Sequence, residues 1–224
     1  MSIPPLEQQV SDVRAAAGTS VASRLAATPG IVRVATDQAE LFTLDNFLDE
    51  AGCATMIGLI EENCQPSSIF EAEGYGADFR NSSSCNLLRW DPRVKLVDDA
   101  IAALLGLAPE FGETVQGQRY EVGQHFRQHA DFFFIDQPYW PEVEKNGGQR
   151  TWTAMVFLNE PGAGGATSFP KLGLDIEPRR GKLLAWNNML PNGAPNIMTM
   201  HEGTTVTDGR KYIVTKWFRE RPWI

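Results

Sequence analysis

Histidine is scarce in this chain: 224 residues carry three, His125, His129 and His201. Any imidazole-based metal centre must therefore draw on almost all of them. Cysteine is equally scarce. Cys53, Cys64 and Cys85 are odd in number and lack metal-type spacing, which excludes a cysteine-rich zinc module and a full disulfide framework. They read as reduced thiols of a cytoplasmic protein. There is no run of about 18 apolar residues to span a membrane. The opening MSIPPLEQQVSDVR has no apolar stretch of the signal-peptide kind, so the expectation is a cytoplasmic chain with no membrane partner. Positive charge is short as well: 20 Lys and Arg against 28 Asp and Glu leave a net charge of −8. Nucleic acid is thus not an expected partner, because it requires a basic surface. A protein substrate of basic character remains compatible.

What is present is an ordinary globular composition, 42% hydrophobic and 21% charged, long enough for one domain with a real core. Residues 5–27 place Leu6, Val10, Val13, Ala17, Val21 and Leu25 near helical spacing, with Gly18 and Thr19 marking where the helix would break in two. Residues 1–36 are expected to form a helical extension packed on the domain, with a homodimer contact as its second use. A second helix is expected over about 48–63, where Cys53, Met56, Ile57 and Ile60 form the buried stripe. Residues 65–79 read as a loop, with Pro66, Gly74 and Gly76. Asp91-Pro92 opens a third helix striped by Val94, Val97, Ile101 and Leu104, the proline sitting where no helical hydrogen bond is lost.

From Gly117 the texture changes. Short strand-like segments at 117–122, 126–131, 151–158, 166–169, 181–187 and 211–218 alternate with Gly/Pro loops. Helices followed by a run of short strands predict an α+β fold around a jelly roll. Residues 132–150 interrupt the pattern and carry Tyr139 and Trp140. So long a loop reads as a lid or binding segment, against the alternative of a disordered excursion.

The chemistry concentrates in RYEVGQHFRQHAD, Arg119–Asp131. His129 and Asp131 are two apart, so on an extended strand both side chains leave the same face. His201, lying between two strand-like runs, is the better candidate for a third ligand. Two histidines, one carboxylate and open positions suit a non-haem Fe(II) oxygenase. His125 shares strand parity with the pair, and a three-histidine site would suit zinc instead; a structural or supporting place for His125 is the favoured reading. Ten residues past His201, Lys211 shares a strand face with Ile213, Thr215 and Trp217, while Tyr212, Val214, Lys216 and Phe218 take the other. A lysine on an apolar face needs a buried anion, because an unpaired buried ammonium is costly.

With these residues in view, the sequence resembles the prolyl 4-hydroxylase branch of the 2-oxoglutarate- and Fe(II)-dependent dioxygenases. The shared pattern runs Arg119-Tyr120, Gly123-Gln124, His129-x-Asp131 and Phe157-Leu158-Asn159. It continues with Gly164-Gly165-x-Thr167-x-Phe169-Pro170, Pro178, Gly181 and His201-x-Gly203, and closes with Gly209-Arg210-Lys211-Tyr212 and Lys216-Trp217. It covers roughly 41–219, within an expected dioxygenase domain of 37–224 whose catalytic core is about 117–219. The resemblance implies a double-stranded β-helix with the metal in its open mouth. It implies His129, Asp131 and His201 as Fe(II) ligands, with Lys211 completing the catalytic set by holding the distal carboxylate of 2-oxoglutarate. Tyr120 would share that carboxylate, and Thr153 and Trp217 would lie beside the co-substrate. Arg80, Tyr139, Trp140 and Trp186 are the candidates for substrate contact. The implied reaction consumes O2, releases succinate and CO2, hydroxylates an unactivated C–H and draws on L-ascorbate as reductant. Three readings follow: a prolyl hydroxylase acting on a peptide or protein, a dioxygenase of a free amino acid or small metabolite, and a non-catalytic jelly roll that binds metal or ligand. The chain departs from the pattern where Thr205 stands in place of a proline after His201, where Phe157 replaces a tyrosine and where Ala166 replaces an acidic residue. These departures leave the metal and co-substrate positions untouched and alter the substrate surface.

Overall fold

The computed structural model describes residues 4–67 and 78–223. Gly74 and Gly76 of the loop expected after the second helix lie outside the described residues. In chain order the elements are α1 (Asp12–Ala27), β1 (Ile31–Arg33), β2 (Leu41–Leu44), α2 (Glu50–Asn63), β3 (Gln65–Pro66), β4 (Ser83–Leu87) and α3 (Pro92–Leu105). There follow β5 (Val115–Tyr120), β6 (Phe126–His129), α4 (Trp140–Lys145), β7 (Arg150–Phe157), β8 (Ala163–Gly164) and β9 (Thr167–Phe169). The chain ends through β10 (Leu174–Ile176), β11 (Leu183–Asn187), β12 (His201–Gly203), β13 (Val206–Asp208) and β14 (Lys211–Arg219).

The helices start where side chains can satisfy the open backbone donors. The Ser11 hydroxyl accepts from Arg14 N at the head of α1, the Asp49 carboxylate from Gly52 N at α2, and the Asp91 carboxylate from Arg93 N at α3. Helix α3 ends on Gly106 in the left-handed region at φ 70°, a conformation that favours glycine. Helix α1 is unbroken, contrary to the interruption expected at Gly18-Thr19. Gly18 serves close approach instead: a Cβ there would lie 2.7 Å from the Asn187 side-chain nitrogen.

Eight strands form one antiparallel sheet in the order β1-β2-β11-β7-β14-β5-β4-β3, and four form a second, β10-β9-β12-β6. The period-two alternation of the central strands divides the core in two. One face of the large sheet, with Trp152, Ala154, Val156, Leu183, Ala185, Val214 and Phe218, packs under the helices against Val21 and Leu25 of α1, Met56 and Ile60 of α2, and Val97 and Ile101 of α3. The opposite face, with Tyr120, Met155, Phe157, Leu184, Trp186 and Ile213, meets Phe169 of the second sheet. This is an α+β double-stranded β-helix with its N-terminal helices packed on the sheet. The segment 132–150 is folded: it contains α4, buries Val143, and is clasped where Gln149 accepts from Phe133 N (2.8 Å) and donates to Phe133 O (2.7 Å).

Candidate metal and co-substrate site

Antiparallel pairing of β6 with β12 sets His129 directly opposite His201, and their rings lie 4.3 Å apart. Strand β6 ends at His129, so Asp131 stands in the following bend and not on the strand. It is turned inward nonetheless by Thr153 of β7, whose hydroxyl donates to Asp131 Oδ2 at 2.7 Å. One donor atom from each of His129, Asp131 and His201 lies within 4.8 Å of the others, and these three are the metal-capable group among the described residues. They approach without hydrogen-bonding one another: His129 Nε2 is 3.9 Å from Asp131 Oδ1, and His201 Nε2 is 3.8 Å from Oδ2.

The far ring nitrogens fix which atoms face inward. His129 Nδ1 is 2.8 Å from the Arg127 carbonyl and His201 Nδ1 is 3.0 Å from the Thr199 carbonyl. A carbonyl only accepts, so each Nδ1 carries a proton and each Nε2 is the nitrogen turned to the centre, where a neutral imidazole offers its lone pair. Burial, then the neighbouring His201, pulls the His129 pKa down to about 3, so its imidazole is neutral at neutral pH. Burial opposes ionisation of Asp131, but the two histidines, Arg150 and the Thr153 hydroxyl outweigh it and hold the carboxyl below its usual range. Two imidazoles with Nε2 turned inward and one carboxylate, mutually unbonded, fit a divalent iron with positions to spare. Phe126 stacks on His129 (3.6 Å, 13°), and Trp186 meets His201 edge-on (4.8 Å, 67°), so neither ring can turn freely.

A cavity opens beside this group, walled by Tyr120, Trp186, Ile213, Thr215 and Trp217 and containing Lys211. Lys211 is 1% exposed. Its Nζ sits 5.2 Å from the Tyr120 ring centre and 5.5 Å from that of Phe157. Among the described residues no carboxylate comes within salt-bridge reach of it. Burial pulls its pKa down to about 7, with Glu177 weakly opposing. The strand parity of Lys211, Ile213, Thr215 and Trp217 holds: all four line this cavity.

Other expected site residues differ in place or in partner. Thr153, expected beside the co-substrate, is behind Asp131 and not on the cavity wall. The Tyr120 hydroxyl, expected on the co-substrate, donates to Gln118 Oε1 (2.7 Å), and Gln118 Nε2 donates to Thr215 Oγ1 (3.2 Å). Gln118 also lines the cavity and was missed, although it precedes Tyr120 by two and so shares its strand face. Arg80 lies behind Phe126, 4.6 Å from its ring, and donates to Ser82 Oγ and Gln116 Oε1. Tyr139 is tied into its own segment, its hydroxyl accepting from Phe134 N (3.2 Å), and Trp140 opens α4; neither lines the cavity. His125 faces the Asp78 carbonyl at 3.0 Å, outside the metal-capable group. Arg150 was also missed: it pairs with Glu113 at 2.6 and 2.7 Å and stacks 4.1 Å from the Trp217 ring, fixing that wall.

Residues 115–219 match the model of the 2OG-Fe(II) oxygenase superfamily. The chain is 31% identical over 199 residues to probable prolyl 4-hydroxylase 3 of Arabidopsis thaliana, covering 79% of this chain and 68% of that one. It is 28% identical to prolyl 4-hydroxylase 2 of the same plant, covering 84% and 70% respectively. Among solved structures, the 2OG complex of the viral collagen prolyl hydroxylase from Paramecium Bursaria Chlorella virus-1 matches with a TM-score of 0.62 at 26% identity, over 80% of this chain and 94% of that one. Fold, inward-facing donor set and sequence relationship agree, and the chain belongs to the 2-oxoglutarate- and Fe(II)-dependent oxygenases, in their prolyl 4-hydroxylase-like branch.

Proposed function

We propose that this protein hydroxylates proline in a peptide or protein, with His129, Asp131 and His201 holding Fe(II) and Lys211 holding 2-oxoglutarate. The carrying observation is Lys211: a buried cation with no carboxylate partner among the described residues, in the same cavity as three converging metal donors. Such a charge is costly unless an anion joins it. A dicarboxylate meets both ends of the cavity, one carboxylate at Lys211 and the keto-acid end at the donor group. Bound Fe(II) supplies activation of O2, coupled to release of succinate and CO2. The chain supplies placement. The Nδ1 bonds keep both imidazoles aimed, Thr153 keeps Asp131 turned in, and Phe126, Trp186 and Trp217 line the wall around the centre. Proline in a peptide as the substrate is supported by the relatives, and Arg80 beside Phe126 is the cation closest in kind to a peptide-carbonyl donor. Ascorbate as the reductant and a cytoplasmic location belong to the same reading. A homodimer contact through α1 and the residues just before it would use the exposed Val10 and Val13, since Val21, Ala22 and Leu25 are taken up in the core.

The test is succinate release together with a mass gain of one oxygen on proline-rich peptides, under Fe(II), 2-oxoglutarate and ascorbate. Asp131→Ala removes the only anionic donor and should bring both to background. Full turnover in that variant would sink the metal assignment. Oxygen gain on free amino acids or metabolites, with none on peptides, would move the substrate class instead.

A further inference from the structure

One buried polar group near the donor set has no part in the reading so far. Asn188, immediately after β11, is 0% exposed, and its Nδ2 lies 2.9 Å from Thr153 Oγ1. Its backbone is pinned on both sides, N to the Thr151 carbonyl (2.8 Å) and O accepting from Asn196 N (2.9 Å). Its own Oδ1 is buried with no partner. An orphaned buried acceptor is costly, and a leucine of similar size would remove it. The amide's presence therefore points to its donor side.

The polarity of the chain follows from its far end. Ionised Asp131 can only accept, so the single Thr153 proton goes to Asp131 Oδ2. Thr153 Oγ1 is then left as an acceptor, and the Asn188 amide must be the donor to it. With that donor in place the threonine hydroxyl cannot rotate toward another acceptor without leaving two hydrogen bonds unmade. Asp131 is thereby held by Oδ2 with both oxygens turned to the histidines, Oδ1 3.9 Å from His129 Nε2 and Oδ2 3.8 Å from His201 Nε2.

We propose that Asn188 is a positioning residue for the metal: acting through Thr153, it fixes the orientation in which the Asp131 carboxylate faces the two histidines. This rests on the reading of His129, Asp131 and His201 as the metal group.

The experiment measures Co(II) affinity by anaerobic chelator competition, with no 2-oxoglutarate, for wild type, Asn188→Leu, Thr153→Val, Thr153→Ser and the Asn188→Leu/Thr153→Val double variant, alongside metal-free melting. Loss of a group supporting a ligand weakens metal binding by about 10–100-fold. Thr153→Val should show that loss, Asn188→Leu about tenfold, and the double variant no more than Thr153→Val alone. Thr153→Ser should bind as wild type does. Metal-free Asn188→Leu should melt no lower than wild type, because the orphaned acceptor goes with the amide; Asn188→Ala replaces it, with the same expected loss of affinity, if the leucine does not fold. Wild-type affinity in the Asn188 variants, or losses that multiply in the double variant, would overturn the proposal while leaving the metal site standing. Failure of wild type itself to bind Co(II) would overturn the metal reading and this inference with it.

Discussion

Strand β14 carries two buried lysines on opposite faces, and they solve the same problem in different ways. Lys216, 2% exposed, points under the helices and meets Asp98 of α3 at 2.7 Å. Lys211, 1% exposed, points into the cavity and meets two aromatic rings. Burial lowers the pKa of both, but Asp98 opposes the shift at Lys216, whereas at Lys211 only Glu177 opposes it and the value falls to about 7. Asp98 is itself shared, accepting from Arg89 at 2.7 Å. A charge completed within the fold is structural. A charge left incomplete inside a cavity is a place held for a ligand.

The largest effect should come from breaking the completed pair. Lys216→Met leaves Asp98 buried with Arg89 alone, and removing one partner of a buried pair costs about 3–5 kcal/mol. The urea midpoint should fall accordingly while 2-oxoglutarate affinity, measured in the folded protein, stays within a factor of about two. An unchanged midpoint would show that the two lysines do not differ as argued.

Lys211→Met should act the other way round. Loss of the cation from a desolvated pair costs about 2–4 kcal/mol of binding, so 2-oxoglutarate should bind about 30- to 1,000-fold more weakly. Stability of the ligand-free protein should rise. The folded pKa, about 7, lies below the ordinary lysine value of 10.5, so the unfolded chain binds more protons between them. The penalty is full below the folded value and fades as pH climbs toward the unfolded one. At neutral pH it is at most about 5 kcal/mol, which methionine would partly relieve. Weaker binding together with lower stability would reassign Lys211 to the core.

This contrast was half legible in the sequence. Strand parity put Lys211 with Ile213, Thr215 and Trp217, and Lys216 with Val214 and Phe218, and both faces are as expected. Parity names a face and not a partner. Asp98 sits on a helix far away in the chain, and nothing in its neighbourhood marks it as the counter-charge. The same limit applies at the metal group. The HxD spacing brought His129 and Asp131 together, yet β6 stops before Asp131, and what turns the carboxylate inward is Thr153 on another strand. Asn188 behind it, and Arg150 stacked on Trp217, depend on three-dimensional neighbours that no periodicity encodes. Three helices were readable because their signal is local, apolar residues recurring at helical spacing, although α1 runs through the break expected at Gly18-Thr19. Tyr139 and Trp140 were assigned from exposed-type aromatics in a long loop, but that segment folds on itself and keeps both off the cavity wall.

The smallest expected effect sharpens the comparison most. An ammonium with a pKa of about 7 is already charged below that pH and must take up a proton to receive a dianion above it. The carboxylates of 2-oxoglutarate stay ionised throughout. Affinity should therefore be level below about pH 7 and weaken above it, by up to about tenfold per pH unit, until the raised pKa of the complex is reached. Lys211→Arg keeps its charge at any accessible pH, so its profile should be flat even where its affinity is lower. Lys216→Met should retain the wild-type slope, because Lys216 faces the other side of the sheet. Competition binding from about pH 6 to 9 on the three proteins reads all of this at once. A slope that disappears in Lys216→Met, or survives in Lys211→Arg, would place the titrating group outside the cavity.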